Sequence, residues 1–119
     1  MTNVVNFRRS FELQQTPAEN DLLALTQLLD KYTPHDGLFN IPDGPLHVVK
    51  SSVKYSEKMY TLAQPSICIV PQGAKQVALT HGGFEYDNRK MVVYAAEVPL
   101  HVTITQASVA APYYCLVIP

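Results

Sequence analysis

The sequence predicts a mainly β domain, an antiparallel β-barrel or jelly roll that is preceded by one N-terminal helix. Three observations support this prediction. Its 119 residues suit one domain with a single core. A helical pattern with start and stop signals occurs once, near the N-terminus. After Gly37, short β-rich runs alternate with turn signals at intervals of about 8–12 residues, as in sandwiches and barrels.

The helix is predicted in the stretch "QTPAENDLLALTQLLDKYTPHDG". Thr16 suits the N-cap, Pro17 the first helical position, and Glu19 completes a capping box. One apolar stripe, expected to pack on the domain itself, comprises Leu22, Leu25, Leu29 and Tyr32, with Leu28 beside it. Thr33-Pro34 ends the helix, because the residue before a proline disfavours helical geometry.

Strand-like runs fill the rest of the chain, and "SICIVPQGAKQVAL" predicts a β-hairpin. Ile67–Val70 is short and rich in β-branched residues, which is typical of a buried strand. Pro71 and Gly73 suit the corner of a turn, and Gln76–Leu79 would return as the partner strand. Gln72 and Lys75 would then lie at the hairpin tip.

Composition restricts the classes of function. The net charge of −1 and scattered basic residues argue against broad electrostatic capture of nucleic acid by this chain. Only 16% of the residues are charged, which fits either a surface covered by a partner or a surface rich in neutral polar groups. Cys68 and Cys115 lie in apolar runs and are predicted to be buried free thiols. No signal peptide or long apolar span is evident, so we expect a cytoplasmic protein.

The sequence predicts no catalytic residue, metal site or cofactor. The four histidines, none in a His-x-His motif, are His35, His47, His81 and His101. A nucleophile elbow and a phosphate-binding loop are also absent. Glu85 and Asp87 would share one strand face, most simply a solvated one. The tyrosines of the β region suit a ligand cavity or an ordinary core, and they are Tyr55, Tyr60, Tyr86, Tyr94, Tyr113 and Tyr114.

The order of several motifs resembles the N-terminal domain of AraC-type transcriptional regulators. The motifs are "IPDGPLHVVK", "QPSICIVPQGAKQVAL", "FEYDNRKMVVYAAEVPLHVTITQAS" and "PYYCLVI". The resemblance covers roughly residues 20–119 and implies a cupin-like β-barrel that senses a small effector and contributes to a homodimer. It also implies that DNA is bound by a separate C-terminal pair of helix-turn-helix units, which this chain lacks.

This resemblance divides the chain into an N-terminal tail, residues 1–15, and a cupin-like sensor domain, residues 16–119. We expect the domain to be truncated, because "PYYCLVIP" stops within a strand. The candidate ligand-binding residues are Tyr94, His101, His47, Tyr114, Gln72 and Lys75. Two other classes of function stay open: a small standalone cupin enzyme (a metal-dependent oxygenase or isomerase) and a non-catalytic barrel for protein–protein contact.

Overall fold

The computed structural model describes residues 2–6, 15–42, 44–54 and 59–119. These residues form one helix, α1 (Gln15–Tyr32), and ten strands. The strands are β1 (Thr2–Asn6), β2 (Gly37–Asn40), β3 (His47–Ser51), β4 (Met59–Ala63), β5 (Ser66–Gln72), β6 (Ala74–Leu79), β7 (Gly82–Tyr86), β8 (Lys90–Tyr94), β9 (Val98–Gln106) and β10 (Tyr113–Ile118). Within the described residues, no helix is both long and apolar enough to cross a membrane.

The strands form two antiparallel sheets. The first has six strands in the order β1-β8-β5-β10-β3-β2, and the second has four in the order β4-β9-β6-β7. The predicted mainly β, antiparallel class is therefore confirmed. Every strand pair of the described residues lies within one of the two sheets, so their hydrogen bonding does not close a barrel.

The main core lies between the two sheets, and we call it the inter-sheet core. Both sheets contribute to it because alternate side chains of each strand point to the same face. Its buried members are Cys68, Val70, Val77, Tyr86, Val92, Tyr94, Leu100, Val102, Ile104, Tyr113 and Cys115.

A second, smaller cluster lies between α1 and the outer face of the six-stranded sheet, and we call it the helix-side cluster. Its buried members are Leu29, Val48, Tyr114 and Leu116. Leu22 and Leu25 of the predicted stripe are half-buried, whereas Tyr32 and Leu28 are exposed, contrary to the prediction.

Two threonines are buried at the helix in their place. The Thr26 hydroxyl donates to the Leu22 carbonyl at 2.8 Å, and the Thr33 hydroxyl donates to the Leu29 carbonyl at 3.0 Å. Because these bonds satisfy the hydroxyls locally, both side chains can face the sheet without an unpaired polar group. The predicted capping box stays a prediction, because the Thr16 side chain is not among the side chains that the structure describes.

One strand precedes the helix, which the sequence did not predict. Thr2–Asn6 pairs with β8 as the edge strand of the large sheet, from Thr2 opposite Tyr94 to Asn6 opposite Lys90. Part of the predicted tail is therefore a strand. The short run "TNVVN" gives too little alternation for a prediction, since its partner is supplied from residues far along the chain.

The predicted hairpin around Gly73 is wrong, although both of its strands exist. β5 belongs to the six-stranded sheet and β6 to the four-stranded sheet, so the two strands do not pair. Gly73 lies between them with φ of +87°, a conformation that favours glycine. The turn residues thus mark the crossing from one sheet to the other.

Strand β10 is buried on both faces. Tyr113 and Cys115 point into the inter-sheet core, and Tyr114 and Leu116 point into the helix-side cluster. This explains why "YYCLVI" is continuously apolar rather than alternating, as expected for a strand covered on both sides.

Candidate ligand-binding cavity

A cavity of about 630 Å³ opens at one end of the inter-sheet core. Its size lies within the range of roughly 300–1,000 Å³ that is usual for small-molecule sites. Both sheets line it, with β9 supplying Leu100, Val102 and Ile104. The apolar walls favour a ligand with an apolar body, because its burial removes apolar surface from water.

The charged and titratable groups on this wall are few. Lys75 and His47 both line the cavity, together with the thiols of Cys68 and Cys115. The described residues that line it include no aspartate or glutamate. The cavity therefore offers a positive charge and hydrogen-bonding groups, and no acidic side chain in its described wall.

Lys75 is directed inward by the alternation of β6. Val77, on the same face of the strand, is fully buried in the inter-sheet core, whereas Gln76 between them is exposed. The Lys75 ammonium lies 5.0 Å from the centroid of the Tyr86 ring and 5.7 Å from that of the Tyr113 ring. Such cation–π contacts hold the ammonium beside the cavity without neutralising its charge.

Cys68 and Cys115 lie next to each other and near this lysine. Both are free, buried thiols, as the sequence predicted. A hydrogen bond from the Cys68 thiol lowers the pKa of Cys115, and burial opposes this effect; the nearby Lys75 ammonium and the Tyr113 and Tyr86 hydroxyls lower the pKa further. The same pairing with Cys115, together with burial, raises the pKa of Cys68. The pair therefore favours a single thiolate, at Cys115.

The Tyr86 side chain is fully buried beside these groups. Among the described residues, its hydroxyl makes no hydrogen bond of good geometry, although it lies near enough to the Cys115 thiol and the Tyr94 hydroxyl to lower their pKa values. Burial, followed by the negative charge favoured at Cys115, raises the pKa of Tyr86, which keeps the hydroxyl protonated. A buried hydroxyl without a well-formed hydrogen bond costs free energy, so an acceptor at better geometry, such as a buried water, would be stabilising.

Three of the six predicted ligand-binding residues come together at the cavity: Tyr94, His47 and Lys75. Tyr94 is buried at the end of β8, and burial raises its pKa. The His47 Nδ1 atom lies 2.6 Å from the Asn40 side-chain oxygen, which orients the imidazole ring.

The other three lie elsewhere. His101 is exposed on the outer face of β9, where its ring meets the edge of Tyr60 at a centroid distance of 5.6 Å. Tyr114 points toward the helix and donates its hydroxyl proton to Asp30 at 2.5 Å. Gln72 donates from Nε2 to the Pro112 carbonyl at 2.9 Å and borders a smaller depression of about 280 Å³ beside α1.

Tyr113 and the two thiols are cavity residues that the sequence did not single out as ligand candidates. Tyr113 rather than Tyr114 faces the cavity, because neighbouring residues of a strand point to opposite faces. The alternation in "LHVTI" could have excluded His101 from the cavity, since it places His101 on the other face of the strand from Leu100 and Val102.

The remaining polar candidates take separate partners. The Glu85 carboxylate accepts a hydrogen bond from Thr105 at 3.2 Å, and Asp87 forms an ion pair with Arg89 at 3.1 Å. His81 is exposed in the turn between β6 and β7. The described residues contain no group of three or more His, Cys, Asp or Glu side chains that could hold a metal ion. Tyr55 lies outside the described residues.

Comparison with known proteins identifies the class of this chain. Residues 44–119 match the model of a family described as the AraC-type transcriptional regulator N-terminus. Because this match covers more than half of the chain, the chain belongs to that family. No individual curated protein matches it.

One solved structure is similar at a distant level. It is the salicylate 1,2-dioxygenase of Pseudoaminobacter salicylatoxidans, solved as adducts with gentisate. The TM-score is 0.40 at 13% sequence identity, and the alignment covers 87% of this chain and 31% of the dioxygenase chain. This chain thus spans about a third of the length of that enzyme.

Proposed function

We propose that this chain is the effector-sensing domain of a transcriptional regulator. The observation that carries the proposal is that the family-matched segment itself builds the cavity. Every described residue that lines the cavity, except Leu38, lies within residues 44–119. A regulatory domain with a cavity large enough for a small molecule has the means to respond to one.

In this proposal the chain does not bind DNA directly. A net charge of −1 gives it little electrostatic affinity for phosphate, so DNA binding belongs to a helix-turn-helix domain elsewhere in the protein. An effector acts by binding one conformation of the sensor domain more tightly than another. It thereby shifts the population of DNA-competent dimers by its difference in affinity.

The natural reading frame beyond the codon for Pro119 provides the first test. We expect two helix-turn-helix patterns within the next couple of hundred codons. A stop codon directly after Pro119 would overturn the regulator proposal. In that case stoichiometric metal in the purified chain would support a small cupin enzyme instead, and a metal-free folded chain would support a protein-contact module.

A further inference from the structure

We propose that the cavity binds an amphipathic organic anion, with its acidic group at Lys75 and its apolar body along β9. This inference rests on the proposed sensor function and adds the chemical class of the effector. Its basis is the arrangement of charge, hydrogen-bond donors and apolar surface around one open cavity.

The first step concerns the charge of Lys75. Among the described residues, no carboxylate forms an ion pair with its ammonium. The two tyrosine rings beside it attract the cation but leave its charge available. The Cys115 thiolate is the anion closest in kind to a partner for this charge, and a ligand anion at Lys75 would take over that role as Cys115 becomes protonated.

The second step concerns the donors around that position. Tyr94 and Tyr113, each with a hydroxyl group, line the cavity together with Lys75. Hydroxyl and ammonium groups donate hydrogen bonds, and an anionic ligand oxygen accepts them. The two tyrosines and the Lys75 ammonium therefore all suit an acceptor that carries negative charge.

The third step concerns the rest of the ligand. The wall formed by β9, the strand paired with β6, consists largely of Leu100, Val102 and Ile104, which offer no polar atom beyond the backbone. A small inorganic anion would leave this surface wet, whereas an attached hydrocarbon or aromatic body would cover it. The cavity volume of about 630 Å³ accommodates a body of several carbons.

The experiment compares octanoate with octanamide, a neutral probe of nearly the same shape, by titration calorimetry on the 119-residue chain. A charge-assisted hydrogen bond should make the Kd of octanoate about tenfold lower than that of octanamide. Lys75→Met keeps the aliphatic stem and should abolish this preference. Lys54→Met removes an exposed lysine outside the cavity and should leave it unchanged.

Equal affinity for the two probes, a preference that survives in Lys75→Met, or no binding of octanoate would each overturn the anion proposal. Octanamide that binds as well as octanoate, and is excluded by Ala63→Phe at the cavity wall, would reject the anion class while supporting a ligand cavity. The reading-frame test decides the regulator proposal independently of these results.

Discussion

Gly73 shows at a single residue why the two sheets can meet. An ideal Cβ atom at this position would lie 2.6 Å from the Gln106 carbonyl oxygen and 2.8 Å from the Tyr113 Cα atom. Both are backbone atoms, so neither can move aside cheaply. Its φ of +87° adds the strain of a left-handed conformation for any L side chain.

We therefore expect Gly73→Ala to lower the free energy of unfolding by more than about 2 kcal/mol. Gly82→Ala is the matched control, because Gly82 also has a positive φ but has no atom within 4 Å of an added Cβ. Gly82→Ala should lower the free energy of unfolding only by the cost of the left-handed conformation, about 1–2 kcal/mol. Urea denaturation measures both, and equal losses would mean that the close approach at Gly73 is unimportant.

The two thiols give a prediction that depends on pH. Because the Cys68 thiol and Lys75 lower the pKa of Cys115 below its ordinary 9.0, the thiolate ultraviolet absorbance should appear below that pH in the folded chain. Cys115→Ser should remove this early titration, and Lys75→Met should move it to higher pH. Octanoate bound at Lys75 would offset the positive charge that stabilises the thiolate, so it should also raise the pKa of Cys115.

The lowered pKa of Cys115 also makes the free energy of unfolding depend on pH. The folded state binds the Cys115 proton less tightly than the unfolded chain does, so its contribution is fully present above pH 9.0 and is lost as the pH falls through the folded value. An absorbance titration in which the wild type and Cys115→Ser coincide would contradict both statements.

The sequence predicted which residue types would line a cavity better than which strand face they occupy, and ligand binding by any of these residues stays a prediction. Tyr94 and Lys75 line the cavity, as their chemistry suggested. Tyr114 does not, because the register of β10 gives that face to Tyr113. Register is set by pairing with β3 and β5, and neither partner is adjacent to β10 in sequence.

At the scale of elements, the helix was the most predictable part. Its end at Tyr32, directly before Thr33-Pro34, agrees with the predicted stop signal. Its start at Gln15 lies two residues before Pro17, the predicted first helical residue. The buried stripe was less predictable at its C-terminal end. Thr33 takes the buried position expected for Tyr32, since its hydroxyl can be satisfied by the helix's own carbonyl.

The helix offers a matched pair of substitutions. Leu29 is 2% exposed against Val48, Tyr114 and Leu116, whereas Leu28 is 48% exposed. We expect Leu29→Ala to lower the free energy of unfolding by about 2–4 kcal/mol through lost burial and a residual cavity. Leu28→Ala should change it by less than about 0.5 kcal/mol. Thermal or urea denaturation distinguishes them, and similar effects would contradict the observed helix orientation.

For the whole molecule, the sequence predicted the class of fold and the strand-rich segments, but not how strands are shared between sheets. The residues at 71–73 have the composition of a tight turn in either arrangement. Whether β5 and β6 pair or separate depends on β8, β9 and β10, which compete for their edges. That competition involves contacts distant in sequence, which local patterns do not encode.

Strand β10 links the two clusters of the molecule in a way that bears on signalling. Tyr113 and Cys115 face the cavity, whereas Tyr114 and Leu116, on the other face of the strand, pack against the helix. A ligand that displaces β10 must therefore also displace the surface on which Leu29 rests. Under the proposed sensor function, α1 would therefore be the element of the outer surface that changes position when the cavity is occupied.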